Sequence, residues 1–173
     1  MELRIRNART GDGRAIAECF YASCDNSCKD CFNKYICSAS KYTVKMITNM
    51  DKRLSKKLKN YLALVAIDKN GKLVGFSSCL GSTDKSMMHR AECGWFVDIN
   101  YANKGIATKL VERLIVDAKN SGFKKLEAEA AIENIASIRL AKKLGFEIEG
   151  TKKLALRIGS RYIDSYILGK VLN

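Results

Sequence analysis

A mixed α/β fold follows from three features of the sequence. The front half pairs strands through tight turns. "YLALVAID", "KNGK" and "KLVGFSSCL" read as two strands around an Asn-Gly turn, and "MMHRAECGWFVDI" (residues 87–99) reads as a longer third strand. The back half changes rhythm: a helix with Ile106, Leu110, Leu114 and Ile115 at helical spacing leads to the strand "KKLEAEAAI", and a second helix leads to a final hairpin. The chain of 173 residues has no proline, no repeat and no low-complexity tract to mark a linker. An antiparallel front half followed by a βαβ crossover predicts a mixed sheet of about seven strands with about four helices, as a single domain over residues 1–173.

The elements follow in order. "LRIRNA" alternates like a first strand. Thr10 is placed to cap a helix over 12–23, with Ile16, Ala17 and Phe20 on one side. The segment "CDNSCKDCFNKYIC" comes next, then a lysine-rich helix over 40–58. After the hairpin and the third strand, "NYANKG" leads into the helix that carries Ile106. "ENIASIRLAKKLGF" is a helix opening at Asn134 and stopping at Gly145, a C′ glycine. "FEIEGTKKLALRI" and "RYIDSYILGKVL" close the fold as a hairpin around Gly159.

Composition narrows the class. Hydrophobic content of 47% and charged content of 28% suit a water-soluble domain, and the longest apolar run is too short for a bilayer. The start "MELRIRNART" lacks the apolar stretch of a signal peptide, so a cytoplasmic location is expected, and no membrane partner. In that compartment seven cysteines are thiols or ligands rather than disulfides. The formal net charge of +13 attracts polyanions, and residues 41–59 are its densest piece. No nucleic-acid-binding motif accompanies that run, so it reads as solvated helix surface and nucleic acid is not an expected partner. A homodimer is left open.

The most informative stretch is "GWFVDINYANKGIATKL". A strand ends near Asp98, and a short loop reaches Gly105 at a helix start. Free N–H groups at a helix start, with the helix dipole, bind phosphate oxygens, and glycine lets the backbone come close. Lys104 and Lys109 add positive charge. Taken alone, the loop is also compatible with an ordinary βα turn. About thirty residues on comes "NIASIRLAKKLGFEIEG".

Together these stretches resemble the GNAT acyltransferase superfamily, whose members move an acyl group from coenzyme A to an amine. The resemblance runs along the whole chain and is strongest over 91–166. The family's phosphate loop reads Gln or Arg, two residues, Gly, one residue, then Gly or Ala. Here "ANKGIA" keeps Gly105 and Ala107, while Ala102 replaces the leading residue and Asn103 stands where glycine is common. The resemblance implies acetyl-CoA as co-substrate. Asn103, Lys104, Gly105, Ile106, Ala107 and Thr108 would hold its pyrophosphate. The strand edge Trp95, Phe96 and Val97 would pair with the pantetheine amides, and Asn134 would contact the same arm. On position alone, Asn134 is equally a plain helix N-cap.

Acetyl transfer to a primary amine needs a base for the ammonium, a donor for the developing oxyanion and a proton for the leaving thiolate. Strand alternation puts Glu92, Gly94 and Phe96 on one face, opposite Cys93, Trp95 and Val97. "AECGWFVD" resembles the corresponding strand of the ribosomal-protein N-terminal and phosphinothricin acetyltransferases, which makes Glu92 the expected base. Glu129 is the alternative, and it reads more simply as a surface carboxylate answering nearby lysines. Many relatives carry a tyrosine seven residues after the asparagine as proton donor, but this chain has Ala141 there. Ser137, one turn earlier, is the remaining hydroxyl on that face. In "GSRYIDSYILGK", Tyr162, Asp164 and Tyr166 alternate onto one face, and the tyrosines are expected to pack the sheet.

Cys24, Cys28, Cys31 and Cys37 leave two readings open: a zinc or iron–sulfur site, since four thiolates complete a tetrahedron, or reduced thiols bordering the acceptor pocket. Their C-x3-C-x2-C spacing occurs in radical enzymes, but those need a longer barrel scaffold than this chain has. His89, the sole histidine, is expected on a strand as a surface or packed residue. The acceptor class is not legible beyond a small amine or a protein N-terminus, and the charge disfavours polycations. The absent tyrosine keeps a second function open: a coenzyme A-binding or metal and redox sensor without turnover.

Overall fold

The computed structural model describes residues 2–23, 51–55 and 60–173. Within them, strands β1 (Leu3–Asn7), β2 (Tyr61–Asp68), β3 (Leu73–Gly81), β4 (Arg90–Val97), β5 (Lys125–Ala131), β6 (Glu147–Ile158) and β7 (Arg161–Val171) form one sheet in the order β1-β2-β3-β4-β5-β7-β6. Helices α1 (Gly13–Ala22), α2 (Ile106–Asn120) and α3 (Ile135–Lys143) accompany it, with a short helical stretch at 51–55. The four cysteines of 24–37 and most of the lysine-rich run lie outside the described residues.

β1 to β4 pair antiparallel, β4 and β5 pair parallel, and β5, β7 and β6 return to antiparallel pairing. The parallel pair is the one that needs a long crossover, and α2 supplies it. Strand alternation then divides the core. Leu64 and Ala66 face α2, whose Ile106, Leu110, Val111, Leu114 and Ala118 are all buried. Val65 and Ile67 face the other way, toward Ile16 and Cys19 of α1. A Leu→Ala change at such a buried site costs ~2–5 kcal/mol, so Leu110 and Leu114 are structural anchors for whatever α2 presents at its start. No helix among the described residues is long and apolar enough to cross a membrane.

Four sequence expectations need correction. Thr10 does not cap α1. Asp12 holds the N-cap position, and its carboxylate accepts from Arg9 N–H (2.8 Å) and pairs with Arg6 (2.7 Å). The amides of Gly11 and Gly13 instead donate to Asp51 Oδ1, at 3.2 and 3.1 Å. The third strand is shorter than 87–99. A 3-10 turn at Lys85–Met87 precedes it, and Asp98 ends it by capping a second 3-10 turn, Ile99–Tyr101. His89 therefore lies in a turn ahead of β4, exposed, its carbonyl accepting from Lys124 N–H at 2.7 Å. Tyr166 packs against the core, but Tyr162 is 57% exposed, with the Arg157 guanidinium 5.8 Å from its ring centre.

Candidate active site

β4 and β5 stay paired for only three residues: Arg90 with Lys125, Ala91 with Leu126 and Glu92 with Glu127. Beyond Glu92 the strands part. β4 continues to Val97 on its β3 side, and β5 continues to Ala131 on its β7 side. The opening leaves one edge of β4 without a strand partner, and unpaired edge groups recruit an extended ligand. A cavity of about 390 Å3 occupies this opening. It is reached from both faces of the sheet: Phe20 and Phe96 line it on the α1 side, and Trp95, Ile106 and Leu140 on the α2–α3 side.

The start of α2 forms one wall. Gly105 is the N-cap in a left-handed conformation (φ 75°, ψ 7°), and Asn103 is left-handed as well (φ 59°). Glycine and asparagine tolerate that region where other residues strain. The two turns swing the chain sharply into the helix. The first bond of the helical ladder runs from Lys109 N–H to Gly105 C=O (3.1 Å), so the amides of Gly105, Ile106, Ala107 and Thr108 stand before it. Asn103, Gly105, Ile106, Ala107 and Thr108 all line the cavity, as do Trp95, Phe96 and Val97. Lys104 does not. Its ammonium donates to Asn100 C=O (2.9 Å) and sits 5.0 Å from the Tyr101 ring centre.

Asn134 lines the opposite wall and is the N-cap of α3, its Oδ1 accepting from Ser137 N–H at 3.1 Å. Both sequence readings of Asn134 are compatible, because the cap uses the carbonyl oxygen and leaves the amide NH2 without a protein acceptor among the described residues. Ser137 lines the cavity too. Ala141 is fully buried in the core, where Leu144 and Phe146 amides bond its carbonyl.

A cluster that sequence reading missed fixes the loop before α2. Asp98 is completely buried, and its carboxylate accepts from Lys72 Nζ (2.7 Å) and from Asn100 N–H (3.0 Å). Tyr101 O–H donates to Asp68 Oδ2 (2.7 Å). Two residues of the β2–β3 turn thus clamp two residues of the β4–α2 loop. Burial pushes the Asp98 carboxyl up, but the Lys72 ammonium and the Asn100 donors outweigh it and hold the group below its ordinary range. The Tyr101 hydroxyl is the first cause that lowers Asp68, joined by the Lys72 and Asn70 amides. The local signal was present in "VDIN", where Asp before a turn satisfies the amide two residues on. The partners Lys72 and Asp68 had no such signal.

Glu92 points to the α1 face, as alternation required, and lines a second cavity rather than the first. It is exposed and forms no hydrogen bond or ion pair among the described residues, although Lys152 lies near enough to feel its charge. Glu129, on the same face, is committed. It pairs with Lys152 Nζ (2.6 Å) and accepts from the buried Ser165 hydroxyl, and these two partners hold it below the ordinary carboxylate range. That is the surface-carboxylate reading of Glu129.

A family model for the acetyltransferase (GNAT) family matches residues 28–146. This chain belongs to that family. Over 85 residues it is 39% identical to the L-amino acid N-acetyltransferase AaaT of Escherichia coli (strain K12), covering 48% of this chain and 52% of that protein. The chain spans about half the length of the curated relatives it matches at this level. Among solved structures, the acetyltransferase of GNAT family from Streptococcus pneumoniae superposes with a TM-score of 0.80 at 26% identity, over 99% of this chain and 100% of that one. A GNAT superfamily phosphinothricin acetyltransferase from Sinorhizobium meliloti, solved with acetyl-CoA, superposes with a TM-score of 0.81 at 22% identity, over 100% of this chain and 90% of that one. The mixed seven-strand sheet is therefore the GNAT fold, and its family neighbours include one that binds acetyl-CoA in the crystal.

Proposed function

We propose that this protein transfers an acetyl group from acetyl-CoA to a primary amine, by direct attack of the amine on the thioester. The observation that carries the reading is the first cavity. It joins the unladdered amides of α2 to an opening in the sheet that reaches both faces. The residues present suit acetyl-CoA. The amides of Gly105, Ile106, Ala107 and Thr108, at the positive end of the α2 dipole, receive the pyrophosphate. The free edge at Trp95, Phe96 and Val97 receives the amide-bearing arm, and the Asn134 NH2 donates to it. Bound there, acetyl-CoA supplies an activated acyl group as a thioester, so no residue of the chain need form a covalent link.

The amine approaches from the α1 face, where Glu92 stands. Among the described residues its carboxylate pairs with no cation, so it is free to take the ammonium proton, through water. Glu129 is the weaker base, because Lys152 and Ser165 stabilise its charged form. Lys104 serves the loop and its field rather than lining the cavity. With Ala141 sealed in the core, α3 offers no phenol, and Ser137 is the hydroxyl on α3 available to the leaving sulfur. The name of AaaT supports a small amino-bearing acceptor.

The test is release of free thiol from acetyl-CoA over a panel of amines, followed by mass analysis of the products. Amine-dependent thiol release with one N-acetyl product per thiol is expected. The buried Ala141 favours a second reading, a coenzyme A-binding sensor on the same fold. Tight cofactor binding without turnover on any amine would establish that reading instead.

A further inference from the structure

The second cavity, about 510 Å3, lies on the α1 face where β3, β4 and β5 run side by side. That is within the ~300–1,000 Å3 range of small-molecule sites. Arg53, Leu80, Met87, Arg90, Glu92 and Glu127 contribute to its wall. Glu92 and Leu80 are register partners across β3 and β4, so their side chains stand together on this face.

The charges of this wall are unequally committed. Arg90 Nη1 bonds both carboxylate oxygens of Glu127 at 3.1 Å, and Lys125 Nζ reaches Glu127 Oε1 at 3.1 Å as well, so the Glu127 carboxylate is committed. Glu92 and Arg53 remain. Neither makes an ion pair or a hydrogen bond among the described residues. The Arg53 guanidinium sits 5.9 Å from the Tyr61 ring centre, which favours one orientation without consuming its N–H donors. The cavity therefore offers one uncommitted carboxylate, one uncommitted guanidinium, and apolar surface from Leu80 and Met87. A complementary ligand carries an ammonium, a carboxylate and an apolar group. Polyamines are a poor match, because a second ammonium would face Arg53 or Arg90.

Building on the transfer reaction proposed above, we infer that this cavity is the acceptor site and that its acceptor is an amine bearing its own carboxylate, as an α-amino acid does. Glu92 meets the ammonium, and Arg53 meets the carboxylate through charge-assisted hydrogen bonds. Arg53 sets specificity and takes no part in proton transfer.

The experiment compares leucine, methionine, phenylalanine and glutamate with their decarboxylated amines, in wild-type protein, Arg53→Ala and Arg53→Lys. Steady-state acetylation is measured beside equilibrium binding to the coenzyme A-loaded protein. A preference of about ten- to a hundredfold in kcat/KM for the acid-bearing amine is expected. Arg53→Ala should collapse that ratio toward one, and Arg53→Lys should keep part of it. Equal use of acids and decarboxylated amines would overturn the inference and leave the acetyltransferase reading intact. No turnover, but carboxylate-dependent binding lost in Arg53→Ala, would retain the site and overturn the transfer reading. Neither turnover nor such binding would overturn both. Thermal unfolding of each variant verifies that it is folded, as expected for a change at an exposed side chain.

Discussion

Gly105→Ala separates backbone strain from ligand contact. Gly105 sits at φ 75°, and an added Cβ there meets nothing within 4 Å. The cost to folding is then the left-handed strain alone, ~1–2 kcal/mol. For a chain of ~150–250 residues that lowers Tm by ~2–4 °C per kcal/mol, or about 2–8 °C in all. Gly159 is a matched control. It has φ 62° in the β6–β7 turn, again with nothing within 4 Å, and it does not line the first cavity. Gly159→Ala should lose a similar Tm. Only Gly105→Ala should also weaken acetyl-CoA, because under the proposed function its methyl would stand where the amides meet the pyrophosphate. We expect Kd to rise at least about tenfold, equivalent to ~1.4 kcal/mol. Thermal unfolding and calorimetric titration with acetyl-CoA read the two effects separately. Equal Tm losses with wild-type affinity in both variants would refute the phosphate role of the loop.

Three further outcomes follow from the structure. Asp98→Ala leaves Lys72 and Asn100 without their buried acceptor, and should cost about 2–4 kcal/mol in denaturant titration while raising KM for acetyl-CoA more than it lowers kcat. The folded-state pKa of Asp98 lies below its ordinary 3.8, so its contribution is complete above that value and is lost as pH falls below it. Unfolding followed against pH should show an acid limb beginning near pH 4, shallower in Lys72→Met, and little change from Asp98 between pH 5 and 8. Burial pushes the thiols of Cys19 and Cys79 up to about 12 and raises that of Cys93 too, so native protein at pH 8 should protect all three from a thiol reagent until it unfolds. Peptide mapping after labelling checks this.

Local signals made much of the fold legible. Alternation in β2 to β4, the spacing of Ile106, Leu110 and Leu114, and the positive-φ glycines at 145 and 159 all act within a few residues. What escaped depends on contacts between distant segments. Asp51 supplies the acceptor for the α1 amides from 38 residues beyond Gly13 in sequence, so Thr10 was a reasonable but wrong choice. The strand end near Asp98 was legible, but Asp98 is buried there because Lys72 makes its burial tolerable, and no periodicity encodes that partnership. At the candidate site, the lining residues 95–97, 103 and 105–108 are readable because strand, loop and helix start are contiguous in the chain. Lys104 does not line the cavity, because a side chain's direction is not set by its position in a loop. The pairing of Arg53 with the Glu92 cavity needed the sheet to be assembled first.

In the proposed reaction Glu92 accepts the amine's proton from the α1 face while the α2 start holds the cofactor. Single-turnover acetylation by Glu92→Gln at pH 7, with acetyl-CoA affinity measured in parallel, tests it most directly. A rate lower by about 10²–10⁴-fold with cofactor binding unchanged is expected. A wild-type rate in that variant would contradict it.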